Sequence, residues 1–183
     1  MKKIFVFSIK ALMVFGLLFA LACSKSDKVK LKVGKAHQGG IIAYLDETGK
    51  HGLIAAPEDQ TTIAGIQWYN RTDIVTGAFG TAIGTGKSNT DKIVEKGGNS
   101  GSYAAKLCDD LVIGKYKDWF LPSKDELNEL YKNKEAIGVS NAVYWSSSEG
   151  NGSSAWLQDF SYGGQYFYSN KTLTYRVRAV RAF

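Results

Sequence analysis

The stretch from Thr81 to Asp91, TAIGTGKSNTD, contains the letters GTGKS and raises the question of nucleotide binding. A phosphate-binding loop needs a glycine, four residues and then Gly-Lys-Ser/Thr, so that successive backbone N–H groups surround the phosphates. Counting back from Gly86, the required first glycine falls at position 81, a threonine, and Gly80 lies one residue too early. We therefore predict no nucleotide and no cofactor, and interpret the stretch as a glycine-rich turn.

Other residues with catalytic chemistry lack partners. The serines at 146–148 stand beside Glu149, but neither His37 nor His51 lies in a segment suited to activate a serine. Cys108 lies on the apolar stripe of a predicted helix, where a buried, inert thiol competes with a catalytic nucleophile, and no nearby base supports the latter. The two histidines and this one thiol supply too few ligands for a typical zinc site. We predict a protein that is not an enzyme and has no metal site.

Glu126 resembles a catalytic acid but has a structural explanation. In FLPSKDELNELYKN, Ser123 and Glu126 have the spacing of a capping box, in which each side chain accepts from the other residue's backbone N–H. Leu127 and Leu130 then recur on one face. The spacing predicts a helix from about 124 to 133, with Glu126 as part of its cap.

The residues in the C-terminal third of the chain favour a sugar-binding site. Its apolar and aromatic runs at 142–149, 154–162, 165–170 and 176–183 predict strands, and Gly163-Gly164 is a hairpin turn signal. A two-residue turn would place Tyr162 opposite Gln165. The face opposite to that of Trp156 would then carry Asp159, Tyr166 and Tyr168.

Tyrosine rings stack on the C–H faces of sugars, and a carboxylate accepts hydrogen bonds from hydroxyl groups. An ordinary solvated strand face has the same composition, so both interpretations stay open. Lys171 and Arg176 extend the candidate ligand-binding set as an anion-binding patch, together with Arg178 and Arg181. Alternatively, the three arginines pair with acids such as Asp159 or Glu149.

The first half of the chain predicts less regular structure. Runs at 41–45 and 53–56 flank the turn-forming residues 46–49 and predict a hairpin. Residues 57–90 predict a long ordered loop region. A short helix over 89–96, capped by Asn89 or Thr90, and a helix over 104–112 complete the predicted elements.

The N-terminus predicts export. A short basic start and an apolar run end in Ala20-Leu21-Ala22-Cys23, which is typical of a secretory signal and similar to a bacterial lipobox. We expect a signal peptide over 1–22 and lipidation of Cys23, with an uncleaved membrane helix as the alternative. Ser24 gives no inner-membrane retention signal, so we expect an outer-membrane lipoprotein.

Processing also sets the charge and domain count. Removing 1–22 takes away three lysines, so the formal charge falls from +6 to +3. Residues 23–38 form the lipid attachment and a short tether, and 39–183 suits a single domain. Nucleic acid is not expected as a partner of such an exported chain, whereas acidic glycans remain possible partners.

Several segments resemble a known family. GLIAAPEDQ, IGTGKSNTDKIV, DWFLPSKDELNELY, YWSSSE and the terminal RVRAVRAF are similar to the C-terminal domain of collagen-like bacterial adhesins, the Lcl domain family. The resemblance covers roughly 39–183. It implies an α+β, C-type-lectin-like fold, with a twisted antiparallel sheet flanked by two helices and a long loop region.

The same resemblance implies binding of polysaccharide, including sulfated polysaccharide, without catalysis. We therefore expect a lipid-anchored, adhesin-like envelope module that recognises a glycan. The alternative is a protein-binding or scaffold subunit of an envelope assembly, because a fold does not fix a function.

Overall fold

The structure is a computed structural model that describes residues 30–71, 73–98 and 101–183, apart from the side chain of Tyr168. The predicted signal peptide and Cys23 lie outside these residues. The strands are β1 Ala36–His37, β2 Gly40–Leu45, β3 Gly52–Ala55, β4 Ile66–Gln67, β5 Val143–Glu149, β6 Ser154–Asp159, β7 Gln165–Asn170, β8 Thr174–Tyr175 and β9 Val180–Ala182. The helices are α1 Gly86–Gly97, α2 Ala104–Asp109, α3 Lys124–Lys132 and α4 Lys134–Ile137.

The strands pair antiparallel in three groups. One sheet has the order β1-β2-β3-β9, a second joins β4 to β8, and a third has the order β5-β6-β7. The predicted α+β class with antiparallel pairing is confirmed. The expectation of one sheet flanked by two helices is too simple, because the described residues form three sheets and four helices. Single bridges from Tyr144 to Arg176 and from Phe120 to Val180 connect these parts.

Two apolar clusters form the core. The larger contains Trp68, Trp119 and Trp145, all fully buried, and α1, α2 and β5 contribute to it. The smaller lies between α3, α4 and the first sheet, around Leu127 and Phe160. Burial of these large side chains stabilises the fold. The described residues contain no disulfide, since Cys108 is a free cysteine.

The first helix begins earlier than predicted. It starts at Gly86, three residues before Asn89, and its N-cap residue Thr85 makes no side-chain cap bond. Asn89 and Thr90 are buried instead of capping the helix. Asn89 holds the backbone of Gly80 through both its Oδ1 and Nδ2 atoms, at 3.1 and 2.6 Å. The predicted cap was wrong because these side chains satisfy other parts of the chain.

The hairpin between β6 and β7 also differs from its predicted register. Gln158, not Tyr162, lies opposite Gln165, and residues 160–164 form the connection. Phe160 leaves the strand and is fully buried in the smaller core cluster. Burying a phenylalanine side chain stabilises the fold by about 1.5–3 kcal/mol, which favours the longer connection over two more strand pairs.

Candidate functional site

The predicted sugar-binding residues divide into two groups in space. Tyr166 lies on β7 with 47% of its surface exposed, and Asp159 lies half-buried at the end of β6. Tyr168 also belongs to β7, although its side chain lies outside the described part. These residues all lie on the β6–β7 hairpin.

Arg176 lies across the third sheet from this hairpin. Tyr166 is opposite Leu157, Leu157 is opposite Trp145, and the Trp145 N–H donates to the Arg176 carbonyl at 3.0 Å. Three strand spacings, ~14 Å, therefore separate the backbones of Tyr166 and Arg176. The Arg176 guanidinium donates to Ser140 Oγ at 2.7 Å and to Asp59 Oδ2 at 3.3 Å.

Lys171 is not part of any surface site, which corrects the prediction. Its side chain is 1% exposed, and its ammonium donates to Glu149 Oε1 at 2.5 Å. The same nitrogen donates to the carbonyls of Ile74 and Gly152 and lies 4.7 Å from the centre of the Trp68 ring. Burial lowers the pKa of Lys171, while the neighbouring carboxylate opposes that change.

Sequence reasoning missed Tyr162, which among the described side chains of the hairpin is the most exposed aromatic one. It is 62% exposed, and its hydroxyl lies 3.0 Å from the hydroxyl of Tyr166. A Cβ placed on Gly164 would lie 2.7 Å from the Tyr162 ring and from the Tyr166 hydroxyl. We call Tyr162, Gly164 and Tyr166 the tyrosine platform. The Tyr-Gly-Gly sequence at 162–164 could have signalled it.

Helix α3 fixes the base of this platform. Gly163 has a φ of +88°, and a Cβ at this position would lie 2.5 Å from the ring of Tyr131. Tyr131 in turn contacts Phe160 edge-on, with ring centres 5.6 Å apart. Only glycine combines the left-handed backbone with this close approach. The turn that carries the two exposed rings is therefore packed closely against α3.

The two hydroxyl groups of the platform affect each other, and the carboxylate of Asp159 lies in the same hairpin. The bond to the Tyr166 hydroxyl raises the pKa of Tyr162 to about 12, and the charge of Asp159 adds to the effect. One Asp159 oxygen accepts the Ser161 N–H at 2.8 Å. The site can stack on apolar ring faces and exchange hydrogen bonds through two phenolic groups and a carboxylate.

Glu149 and the neighbouring serines hold the long loop in place. The buried Glu149 carboxylate accepts from the backbone N–H groups of Thr76 and Gly77 and from the Thr76 hydroxyl, all within 3.0 Å. Ser148 donates to the Gly80 carbonyl at 2.7 Å, and Ser146 donates to the Trp156 carbonyl. These contacts give the serine run a structural role.

Glu126 has two structural tasks. It completes the predicted capping box with Ser123, which is confirmed, and its second oxygen accepts the Gly84 N–H at 2.8 Å. Burial raises its pKa, and bonds from Ser123, Gly84 and Gly86 oppose the rise. The backbone of the GTGKS stretch thus surrounds a carboxylate of the same chain.

The remaining candidates are internal. Arg178 lies 2.9 Å from Asp59, and Arg181 makes two bonds to Asp118, so both pair with acids other than those predicted. Cys108 is fully buried, and burial raises its thiol pKa well above the usual value. Within the described residues, no group of three or more potential ligands can hold a metal ion.

Comparison with known families agrees with the sequence segments quoted above. The sequence model of the Lcl C-terminal domain matches residues 58–181, more than half of the chain. The chain belongs to the Lcl C-terminal domain family. Membership of this family favours a role as an adhesin-like surface module rather than as an enzyme. Over the ranges that the structure describes, no helix combines the length and apolar character needed to span a bilayer.

Other comparisons give weaker similarity. Among solved structures, a fimbrial protein from Bacteroides ovatus ATCC 8483 matches with 18% identity and a TM-score of 0.47. The alignment covers 70% of this chain and 35% of that protein. The chain therefore spans about a third of the length of this relative. No curated protein matches this Lcl domain chain significantly.

Proposed function

We propose that this protein is a lipid-anchored envelope module that binds carbohydrate through the tyrosine platform without catalysis. The observation that carries the proposal is the pair of exposed tyrosine rings, whose hydroxyl oxygens lie 3.0 Å apart and which pack closely against Gly164. Large, preorganised aromatic surfaces lose little conformational entropy when a ligand covers them. Membership of the Lcl domain family supports an adhesin-like role for this surface.

Binding at this site combines stacking with hydrogen bonds. A pyranose ring lies against Tyr162 or Tyr166, and its hydroxyl groups donate to Asp159 or to the phenolic oxygens. A shallow site with so few contacts gives a Kd of roughly 10⁻³–10⁻⁵ M. Many copies on one membrane raise the overall avidity.

Removing both rings is the direct test. We expect the Tyr162→Ala/Tyr166→Ala double variant to weaken glycan binding by at least about tenfold, since each lost stacking contact is worth roughly 1 kcal/mol. Binding to an immobilised panel of oligosaccharides measures this effect. The Phe79→Ala variant removes an equally exposed aromatic ring from the long loop and serves as the matched control.

The control variant should bind like the original protein. Equal loss in both variants would assign the effect to general changes of the surface. If the original protein binds no oligosaccharide or polysaccharide at all, the proposed function is wrong.

The membrane anchor belongs to the same proposal. The lipobox-like Ala20-Leu21-Ala22-Cys23 supports cleavage before Cys23 and lipidation of its thiol and new amino group, with attachment to the outer membrane. We expect the Cys23→Ser variant to leave the membrane fraction and to lose incorporation of labelled palmitate. Retention of the label in this variant would place the lipid elsewhere.

A C-type-lectin-like fold is the structural part of the proposal. The antiparallel sheets, the helices and the long irregular segment between β4 and α1 support it. Superposition of an experimental structure on a lectin domain tests it, and a mismatch of strand order would overturn it.

A protein partner is the second candidate, and one observation favours it. Val75, Phe79 and Ile83 expose apolar side chains at every fourth position of the loop held by Glu149 and Glu126. Where such groups form one contiguous exposed patch, they favour contact with another protein. Capture of an envelope protein that Phe79→Ala abolishes, without glycan binding, would support this candidate.

A further inference from the structure

We infer that the tyrosine platform selects neutral glycans over sulfated or carboxylated ones. This inference rests on the proposed function and concerns the ligand class of the same site. Within the described residues, no lysine or arginine hydrogen-bonds to, or stacks on, Tyr162 or Tyr166. The Asp159 carboxylate accepts the N–H of Ser161, the residue next to Tyr162, and its charge adds to the rise in the pKa of Tyr162.

Basic residues near the hairpin already have intramolecular partners. The Lys134 ammonium donates to the Phe160 carbonyl at 2.5 Å and to Asn141 Oδ1 at 2.6 Å. The Lys124 ammonium lies 3.0 Å from Asp125 and 5.1 Å from the centre of the Trp156 ring. A sulfate group would have to compete with these intramolecular partners for either cation.

The C-terminal cations are occupied as well. Each pairs with a carboxylate: Lys171 with Glu149, Arg176 and Arg178 with Asp59, and Arg181 with Asp118. Recognition of a sulfate depends on charge-assisted bonds from such groups. The positive formal charge of the whole chain therefore does not create an anion site at the platform.

The carboxylate of Asp159 supports the preference for neutral glycans. Its Oδ1 atom accepts the Ser161 N–H, and no further hydrogen bond to the carboxylate occurs within the described residues. The remaining acceptor capacity suits the hydroxyl group of a neutral sugar. A sulfate at the same position would meet a like charge at the edge of the platform.

The test compares galacto-, gluco- and manno-oligosaccharides with chemically sulfated forms of the same compounds. We expect each bound neutral compound to bind at least about threefold more tightly than its sulfated form. Raising NaCl from about 50 to about 500 mM should change the neutral Kd by less than about twofold, because no ion pair forms. In Asp159→Asn, the sulfated form should gain relative to the neutral one.

Three outcomes separate this inference from the proposed function. Tighter, salt-sensitive binding of the sulfated form that is lost in Tyr162→Ala/Tyr166→Ala would overturn the neutral preference and retain the platform. Sulfated binding that this double variant leaves intact would overturn both. No binding of any compound would overturn the proposed function and the inference with it. Circular dichroism of each variant confirms that it is folded.

Discussion

Replacing Lys171 by methionine should lower the free energy of unfolding by about 3–5 kcal/mol. The substitution leaves the Glu149 carboxylate buried without its cation, and breaking one side of a buried ion pair has this cost. The carbonyls of Ile74 and Gly152 also lose their donor. Urea unfolding followed by tryptophan fluorescence measures the change.

Two further variants identify the cause. Lys92 donates to the Gly77 carbonyl from the exposed surface of the same region, so Lys92→Met should cost less than about 1 kcal/mol. Combining Lys171→Met with Glu149→Gln removes the isolated charge and should recover part of the loss. A Lys171→Met protein with unchanged stability, or a double variant no better than the single one, would contradict the ion-pair explanation.

Replacing Gly86 by alanine should destabilise the protein by about 2–4 kcal/mol. A Cβ at this position would lie 2.1 Å from Glu126 Oε2 and 2.9 Å from the Ser123 nitrogen, so the carboxylate must move. Overpacking and the loss of bonds to Gly84 and Ser123 both contribute. Thermal unfolding measures the stability, and hydrogen exchange at the Gly84 amide reports the local contact.

Ser88→Ala is the control for this substitution. Ser88 lies exposed on the same helix, two residues later, and its change to alanine should remain within about 0.5 kcal/mol. Gly86→Ala without faster exchange at Gly84 would show that Glu126 does not hold the GTGKS backbone.

Local sequence signals predicted those elements whose causes are also local. The hairpin of β2 and β3 and the capping box of α3 follow from residues within a few positions of each other, and β7 has its predicted limits. The start of α1 could not be predicted in this way. The glycine-containing segment that leads into it is held by Glu126, which lies 42 residues beyond Gly84.

In the candidate site, too, features with local causes were predicted and features that depend on distant residues were not. Tyr166 and Asp159 lie on the hairpin that the alternating pattern indicated. The pattern placed Lys171 at the surface because its partners, Glu149 and the Ile74 carbonyl, are 22 and 97 residues away. Tyr162 was missed because the register depends on the burial of Phe160, which alternation along one strand does not encode.

The ammonium of Lys171 gives the module a cation of its own. This nitrogen donates hydrogen bonds to three oxygen atoms, from Glu149, Ile74 and Gly152. Oxygen atoms of these kinds are also the ligands of hard metal ions. A covalently attached cation cannot be diluted or removed by a chelator. The loop around Gly77 is therefore held in part by a cation that belongs to the chain itself.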